Sequence, residues 1–122
     1  MKKLATDFTS NQPLLEKILT LAIEKKASEL IAFDVRGFSS MTDFFVICHG
    51  DSDPHVKAIA DNIRKGTPYK PKYIEGYNNK NWILIDYFDV IIHVFKNETR
   101  EYYKIEKLWA DAPLKKFNDE II

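Results

Sequence analysis

The apolar positions of this chain recur at helical spacing in three places. Near its start, Pro13 opens a stretch whose apolar face includes Leu15 and Ile18, a spacing that predicts a first helix. A second helix is predicted from Asp53, as the N-cap, to Gly66. A third is predicted over residues 98–109, capped by residue 97. Its expected inner face consists of Tyr102, Ile105, Leu108 and Trp109.

Short apolar runs of strand length lie between these helices. Residues 30–35 and 44–49 are apolar without alternation, which indicates strands buried on both faces. Residues 72–77 predict an edge strand, because Lys70 and Pro71 beside it discourage pairing with other chains. The run WILIDYFDVIIHVF then predicts two strands, 82–86 and 89–95, joined at Tyr87 and Phe88.

The order α-β-β-α-β-β-β-α predicts a single α/β (α+β) domain. By the layer rule, a mixed sheet of about five strands is flanked by the helices. The second strand, second helix and third strand are expected to form one right-handed crossover unit. The domain is predicted to span residues 12–113, with flexible tails at residues 1–11 and 114–122.

Charge and composition narrow the class of protein. The 18 basic and 18 acidic residues cancel, so the chain lacks the overall positive charge of a protein that wraps nucleic acid, although local patches stay open. Its one cysteine, Cys48, excludes an internal disulfide and favours a reducing compartment. The sequence shows neither a secretory signal nor the roughly 20 apolar residues of a membrane helix, so we expect a cytoplasmic protein without membrane contact.

The segment CHGDSDPH, residues 48–55, contains two candidate binding sites. A glycine turn before a helix suits an anion, but Asp51 and Asp53 would repel phosphate, so helix capping is the favoured interpretation. Cys48, His49 and His55 are metal-ligand types. Because the paired ligand spacing of zinc sites is absent, we predict no metal.

The acids of the apolar run raise the question of catalysis. Asp86 and Asp89, with Asp34, are candidate carboxylates for two-metal nucleotidyl transfer. Strand side chains alternate, so residues three apart do not share a face, and acids flanking a turn are the favoured interpretation. His93 is expected to be a core histidine, since no glycine-framed serine supports a catalytic assembly, although a Ser-His-Asp arrangement stays open. No catalytic residue or cofactor is predicted.

Aromatic side chains are dense in the last third of the chain: Trp82, Tyr87, Phe88, Tyr102, Tyr103 and Trp109. Some must pack inside, but Tyr87 and Phe88 stand at a hairpin tip that the domain itself can hardly bury. Aromatic residues beside acids favour a binding patch for a basic protein, and a purely structural role in the core is the open alternative.

Three segments together resemble the ribosomal silencing factor family, also called Iojap-like. They are LIAFDVRGFSSMTDFFVICHGDSDPHVKAIADNI, EGYNNKNWILIDYFDVIIHVF and REYYKIEKLWADAP, within a match from about residue 14 to residue 113. The resemblance implies a nucleotidyltransferase-like fold without catalysis. It also implies that the protein binds the large ribosomal subunit through its protein number fourteen, blocks joining of the small subunit and so represses translation. Free family members can form homodimers, and no sequence-specific contact with nucleic acid is expected.

The resemblance further implies which residues contact the partner. The expected set is Trp82, Asp86, Tyr87, Asp89, Arg100, Tyr103, Lys104, Lys107 and Trp109. Phe88 stands where the family commonly has glycine, which predicts either a different turn or an added apolar contact. The segment IRKGTPYKPKYIEG is shorter and more broken than the family's usual second helix. The alternatives are an enzyme that retains magnesium-dependent nucleotide chemistry and a generic homodimerisation module.

Overall fold

A computed structural model describes residues 8–117 of the chain. Its helices are α1 (Pro13–Glu24), α2 (Asp53–Gly66) and α3 (Asn97–Tyr103), followed by the 3₁₀ helix Ile105–Trp109. Its strands are β1 (Ser28–Asp34), β2 (Phe44–Gly50), β3 (Tyr73–Glu75), β4 (Trp82–Asp86), β5 (Val90–Lys96) and β6 (Leu114–Lys116). No helix in this part of the chain is long and apolar enough to cross a membrane.

The strands form one mixed sheet in the order β3-β4-β5-β2-β1-β6. β2 and β5 pair in parallel, and the other neighbouring pairs are antiparallel. The predicted mixed α/β fold is therefore confirmed, with six strands rather than about five. The predicted crossover was wrong in its last strand, because the three-residue β3 pairs only with β4 at the edge. The chain leaving β2 returns in parallel at β5, after α2, β3 and β4.

Both ends of the predicted domain extend further than expected. The predicted tail from residue 114 was wrong for Leu114–Lys116, which pair antiparallel with β1. This strand supplies hydrogen-bonding partners to an otherwise open sheet edge, but three residues with two lysines give no apolar alternation by which to recognise it. Before α1, the ring of Phe8 stacks on Phe44 at 5.9 Å and Thr9 is buried. Residues 1–7 and 118–122, which complete the predicted tails, lie outside the described residues.

The two faces of the sheet carry separate clusters of buried apolar side chains. α1 and α2 cover one face, where Ile18 and Ile59 pack with Val46 and Ile92. On the other face, Phe33, Phe45 and Phe95 are buried, and the 3₁₀ helix contributes the half-buried Ile105 and Trp109. This thinner cover leaves part of the second face accessible.

The third helix is shorter than predicted. Lys104 adopts a left-handed backbone (φ +47°) and ends α3, with its N–H donating to the Arg100 carbonyl. The chain then continues in the 3₁₀ helix, so the expected single inner face was wrong: Tyr102 and Leu108 are 80% and 73% exposed. Asn97, predicted as the cap, is the first residue of α3.

The start of α2 also differs by one residue from the prediction. Ser52, not Asp53, is the N-cap, and its hydroxyl accepts a hydrogen bond from the His55 N–H at 3.3 Å. Asp53 instead forms an ion pair with Lys96 at 2.7 Å. The acid stays favourable there because the first turn of a helix attracts negative charge.

Candidate functional site

The turn between β4 and β5 retains a glycine-like geometry although it has no glycine. Phe88 adopts a left-handed backbone (φ +74°), and its N–H donates to Asp86 Oδ1 at 2.8 Å. Its ring is 61% exposed, and Lys72 Nζ lies 4.9 Å from the ring centroid. The turn thus keeps the conformation that glycine favours, and the side chain adds apolar surface beside it.

The neighbouring Tyr87 lies inside the domain, so the expectation that the fold could hardly bury it was wrong. Its ring belongs to the core between the sheet and the first two helices, and its hydroxyl lies 2.7 Å from Thr67 Oγ1. Burial raises the pKa of Tyr87. The segment that follows α2 supplies this cover, and Asp86 is buried with it.

At the opposite end of β4, Trp82 is fixed by a buried histidine. Its Nε1–H donates to His93 Nδ1 at 3.0 Å. The ring centroid of Trp82 lies 4.7 Å from that of Phe95 and 5.0 Å from that of Tyr103. Burial lowers the pKa of His93 to about 4, so this histidine is neutral at pH 7 and able to accept the bond. His93 is therefore, as expected, a core histidine, and its partner is Trp82.

A cavity of about 560 Å³ opens beside Trp82 and Tyr103. Glu75, Asn81 and Thr99 also border it, so polar groups surround an aromatic wall. Such a mixture of apolar lining and a few convergent polar groups is typical of recognition sites.

Trp109 lies on the same face of the sheet but packs inward. Its ring centroid is 4.9 Å from that of Phe45, which leaves the indole half-buried. Lys104 and Lys107, on either side of the first turn of the 3₁₀ helix, are exposed to solvent.

Arg100 is buried and ties α3 to the sheet. Its Nε donates to Glu106 Oε2 at 2.7 Å, and its Nη1 donates to His49 Nδ1 at 2.9 Å and to the Ser28 carbonyl at 3.3 Å. Burial and the positive charge of Arg100 lower the pKa of His49. In this structure Arg100 acts within the fold and does not present its charge at the surface.

The residues expected to contact a partner therefore divide by burial and by position. Asp89, Tyr103, Lys104 and Lys107 are exposed; Trp82 and Trp109 are half-buried; Asp86, Tyr87 and Arg100 are buried. The hairpin residues lie at the Asp86 end of β4 and Trp82 lies at its other end. At about 3.3 Å per residue, the two ends are about 13 Å apart. Sequence reasoning did not identify Thr67 as the partner of Tyr87, because no local pattern links positions that far apart.

The carboxylates considered for nucleotidyl transfer do not converge. Asp34 pairs with Arg36 at 2.8 Å, which lowers the pKa of the aspartate. Two strands lie between β1 and β4, so Asp34 and Asp86 are about 14 Å apart at roughly 4.8 Å per strand. Within residues 8–117, no group of three or more His, Cys, Asp or Glu side chains is placed to hold a metal ion.

The candidate metal ligands of the segment 48–55 also lie apart from one another, each in different surroundings. Cys48 is in the core beneath the helices, where burial raises the pKa of its thiol to about 12. His49 bonds to Arg100 on the other face. His55 accepts from the Asp51 N–H at 3.0 Å and donates from Nε2 to the Lys25 carbonyl at 2.8 Å. The helix start is thus occupied by its own hydrogen bonds, as the capping interpretation predicted.

Comparison with known proteins agrees with this architecture. A family model described as "Ribosomal silencing factor during starvation" matches residues 8–121. The Halalkalibacterium halodurans protein named ribosomal silencing factor RsfS is 44% identical over 107 residues, which cover 85% of this chain and 92% of the relative. A crystal structure of a Bacillus halodurans protein superposes with a TM-score of 0.76 at 41% identity, covering 86% of this chain and 98% of that one.

A more distant relative has a longer chain. The mouse protein named mitochondrial assembly of ribosomal large subunit protein 1 is 30% identical over 115 residues. The match covers 88% of this chain and 48% of the mouse protein. With the family model matching nearly its whole length and bacterial relatives above 40% identity, this chain belongs to the ribosomal silencing factor family.

Proposed function

We propose that this protein binds the large ribosomal subunit in the cytoplasm, through ribosomal protein number fourteen, and blocks joining of the small subunit. Family membership over residues 8–121 supports a role on the ribosome. The name of the mouse relative, which refers to the ribosomal large subunit, supports the choice of subunit. The resemblance in the hairpin and last-helix motifs supports the choice of protein partner.

The observation that carries the proposal is the open aromatic cavity beside Trp82. A large aromatic side chain that is already fixed, here by His93 and Tyr103, loses little conformational freedom when a partner covers it. Aromatic anchors in such pockets provide most of the binding energy of many protein interfaces. Glu75 at the rim offers a carboxylate to a lysine or arginine, the side chains that a basic ribosomal protein presents.

The buried members of the expected contact set have a positioning role in this proposal. Asp86 fixes the N–H of Phe88, and Tyr87 anchors the turn against the segment after α2. At the hairpin, the exposed Phe88 and Asp89 then contact the partner directly. Arg100 holds the last helix in place for Tyr103.

Repression by this route requires only that the protein occupies the docking face of the large subunit, and it involves no chemical step. A bound domain that covers the docking face excludes the small subunit sterically, so one molecule per large subunit is sufficient. We also propose that the free protein forms homodimers. Sedimentation velocity at several concentrations tests this, and a mass that stays that of one chain would contradict it.

The main test is co-sedimentation with isolated large subunits in sucrose gradients. The wild-type protein is expected to move with the large subunits and to reduce the amount of joined ribosomes when small subunits are added. Tyr103→Ala is expected to weaken binding by about tenfold or more, the loss of 1.4 kcal/mol or more typical of an aromatic anchor.

Tyr102→Ala is the neighbouring control, because this tyrosine is more exposed and does not border the cavity. Its ring contacts that of Tyr103 at 4.9 Å, so a loss smaller than that of Tyr103→Ala is expected. Asp89→Lys tests the hairpin, with Asp111→Lys as its control for an exposed acid elsewhere. Wild-type protein that stays at the top of the gradient at moderate salt would refute the proposal. Equal effects of each variant and its control would remove the named residue from the interface.

A further inference from the structure

The stretch from the last turn of α2 to the first residue of β3 concentrates positive charge, although the chain as a whole has no net charge. Residues 64–73, RKGTPYKPKY, contain four basic residues and no acid, whereas the whole chain has 18 of each. Two tyrosines, Tyr69 and Tyr73, alternate with the cations and are 62% and 43% exposed. Basic residues interleaved with exposed aromatic rings are typical of surfaces that bind single-stranded nucleic acid.

This segment is held in a defined conformation. The Thr67 N–H donates to the Ile63 carbonyl at 3.2 Å, and its hydroxyl lies 2.7 Å from the buried Tyr87 hydroxyl. At the other end, the Lys72 N–H donates to the Asp86 carbonyl at 2.6 Å. Prolines at residues 68 and 71 fix two further backbone angles. A surface ordered before binding loses less entropy when a ligand arrives.

The lysines of this region are available to a ligand. Lys65, Lys70 and Lys72 are exposed, as is Lys17 on α1. None of these four takes part in the ion pairs found within residues 8–117. Arg64 differs, because it lies 3.4 Å from Asp61 and is therefore already partly neutralised.

A cavity of about 460 Å³ lies against this basic segment. Its lining residues are Pro13, Leu14, Lys17, Gly66, Pro68 and Tyr69, with no acid among them. A second cavity, of about 450 Å³, borders Tyr69 on the hairpin side and includes Asp43 and Asp89. The acid-free cavity is therefore the one that suits an anionic ligand.

We propose that this surface binds single-stranded RNA, with one base stacked on Tyr69 in the acid-free cavity and the phosphates neutralised by Lys17, Lys65, Lys70 and Lys72. The cavity volume of about 460 Å³ exceeds that of a nucleobase, and its proline and leucine walls suit the flat apolar face of a base. An anionic membrane fits less well, because the patch offers one tyrosine at a cavity and no broad apolar face to insert. The inference goes beyond the proposed ribosomal role and does not depend on it.

The test is fluorescence anisotropy of the full chain with a labelled oligouridylate of about 12 nucleotides, whose bases stack little on one another. Four neutralised phosphates predict that log K falls with log salt concentration with a slope of about 2.8 for single strands. Between about 50 and about 200 mM salt, that slope corresponds to a roughly 50-fold loss of affinity. K70Q combined with K72Q is expected to reduce the slope to about 1.4 and to lower affinity at least tenfold.

Tyr69→Ala separates stacking from charge. It is expected to weaken binding by about 5-fold to 150-fold while leaving the salt slope unchanged, because it removes no positive charge. K25Q combined with K26Q is the matched control, since these exposed lysines lie at the far end of α1. This control is expected to keep the wild-type slope.

Three outcomes would overturn the proposal. One is the absence of RNA binding at about 50 mM salt, where phosphate contacts are strongest. Another is an equal loss for the K25Q, K26Q control, which would make the attraction a property of net charge. The third combines two results: RNA does not bind, and the protein co-sediments with phosphatidylserine vesicles unless it carries K70Q and K72Q. That outcome would assign the patch to a membrane. Co-sedimentation with large subunits is a separate measurement, so failure of the ribosomal proposal is distinguishable from failure of this one.

Discussion

Acidification should lower the free energy of unfolding of this protein through His93, the residue that fixes Trp82. Burial lowers the pKa of His93 to about 4, against 6.5 for an exposed histidine. The unfolded chain therefore takes up a proton at a higher pH than the folded protein does. The stability contributed by the neutral ring is present above pH 6.5 and is lost as the pH falls toward 4. Between pH 7 and pH 5, this linkage predicts a loss of about 2 kcal/mol from the free energy of unfolding.

Urea unfolding at pH 7 and pH 5, followed by tryptophan fluorescence, measures this loss. His49 shifts stability in the same direction, because burial and Arg100 also lower its pKa. The contribution of His93 is isolated by His93→Asn, whose amide oxygen can accept the Trp82 N–H without titrating in this range. The variant should lose about 2 kcal/mol less than the wild type between the two pH values. Equal losses in the two proteins would refute the assignment of a buried, neutral His93.

The remaining predictions concern backbone strain and buried polar groups, and urea unfolding measures the stability changes. Tyr87→Phe should cost about 1 kcal/mol, because its threonine partner loses a buried hydrogen bond; Tyr87→Ala should cost about 3–4 kcal/mol. Arg100→Met should cost about 2 kcal/mol, because it removes the charged partner of the half-buried Glu106 carboxylate. Gly76→Ala should cost more than about 2 kcal/mol, because the backbone has φ +79° and the new Cβ would lie 2.0 Å from the Trp82 carbonyl oxygen. Phe88→Gly should change stability by less than about 1 kcal/mol, since relief of strain is offset by a more flexible unfolded chain, but should weaken co-sedimentation with large subunits.

Periodicity was sufficient for the elements whose burial is continuous. α1 and α2 have clean apolar stripes, and β2 is apolar from Phe44 to Cys48 and buried along its whole length because both of its faces are covered. In such elements the pattern of apolar side chains reflects which positions are buried, so the sequence predicts their bounds to within one or two residues. The mixed sheet followed from their order.

The features that were missed depend on groups distant in the chain. β6 is defined by backbone bonds to β1, and its side chains give no signal of that pairing. The end of α3 at Lys104 requires a left-handed lysine, a conformation that local propensity disfavours. Arg100, four residues earlier, bonds to Ser28 and His49 on distant strands, and these contacts are not local properties of the sequence. Tyr87 is buried because Thr67 and the segment after α2 cover it.

The same long-range contacts explain why Phe88 can remain in its strained turn. A left-handed phenylalanine costs about 1–2 kcal/mol relative to glycine, yet its side chain is mostly exposed and contributes little to the core. Asp86 accepts a hydrogen bond from the Phe88 N–H, and Tyr87 is anchored to Thr67, so the fold tolerates the strain. Strained residues that are exposed and well supported are typical of functional sites. Lys72 lies over the Phe88 ring and also belongs to the basic segment. A partner at the hairpin and RNA at the basic segment would therefore meet at this pair, and each should change the affinity for the other.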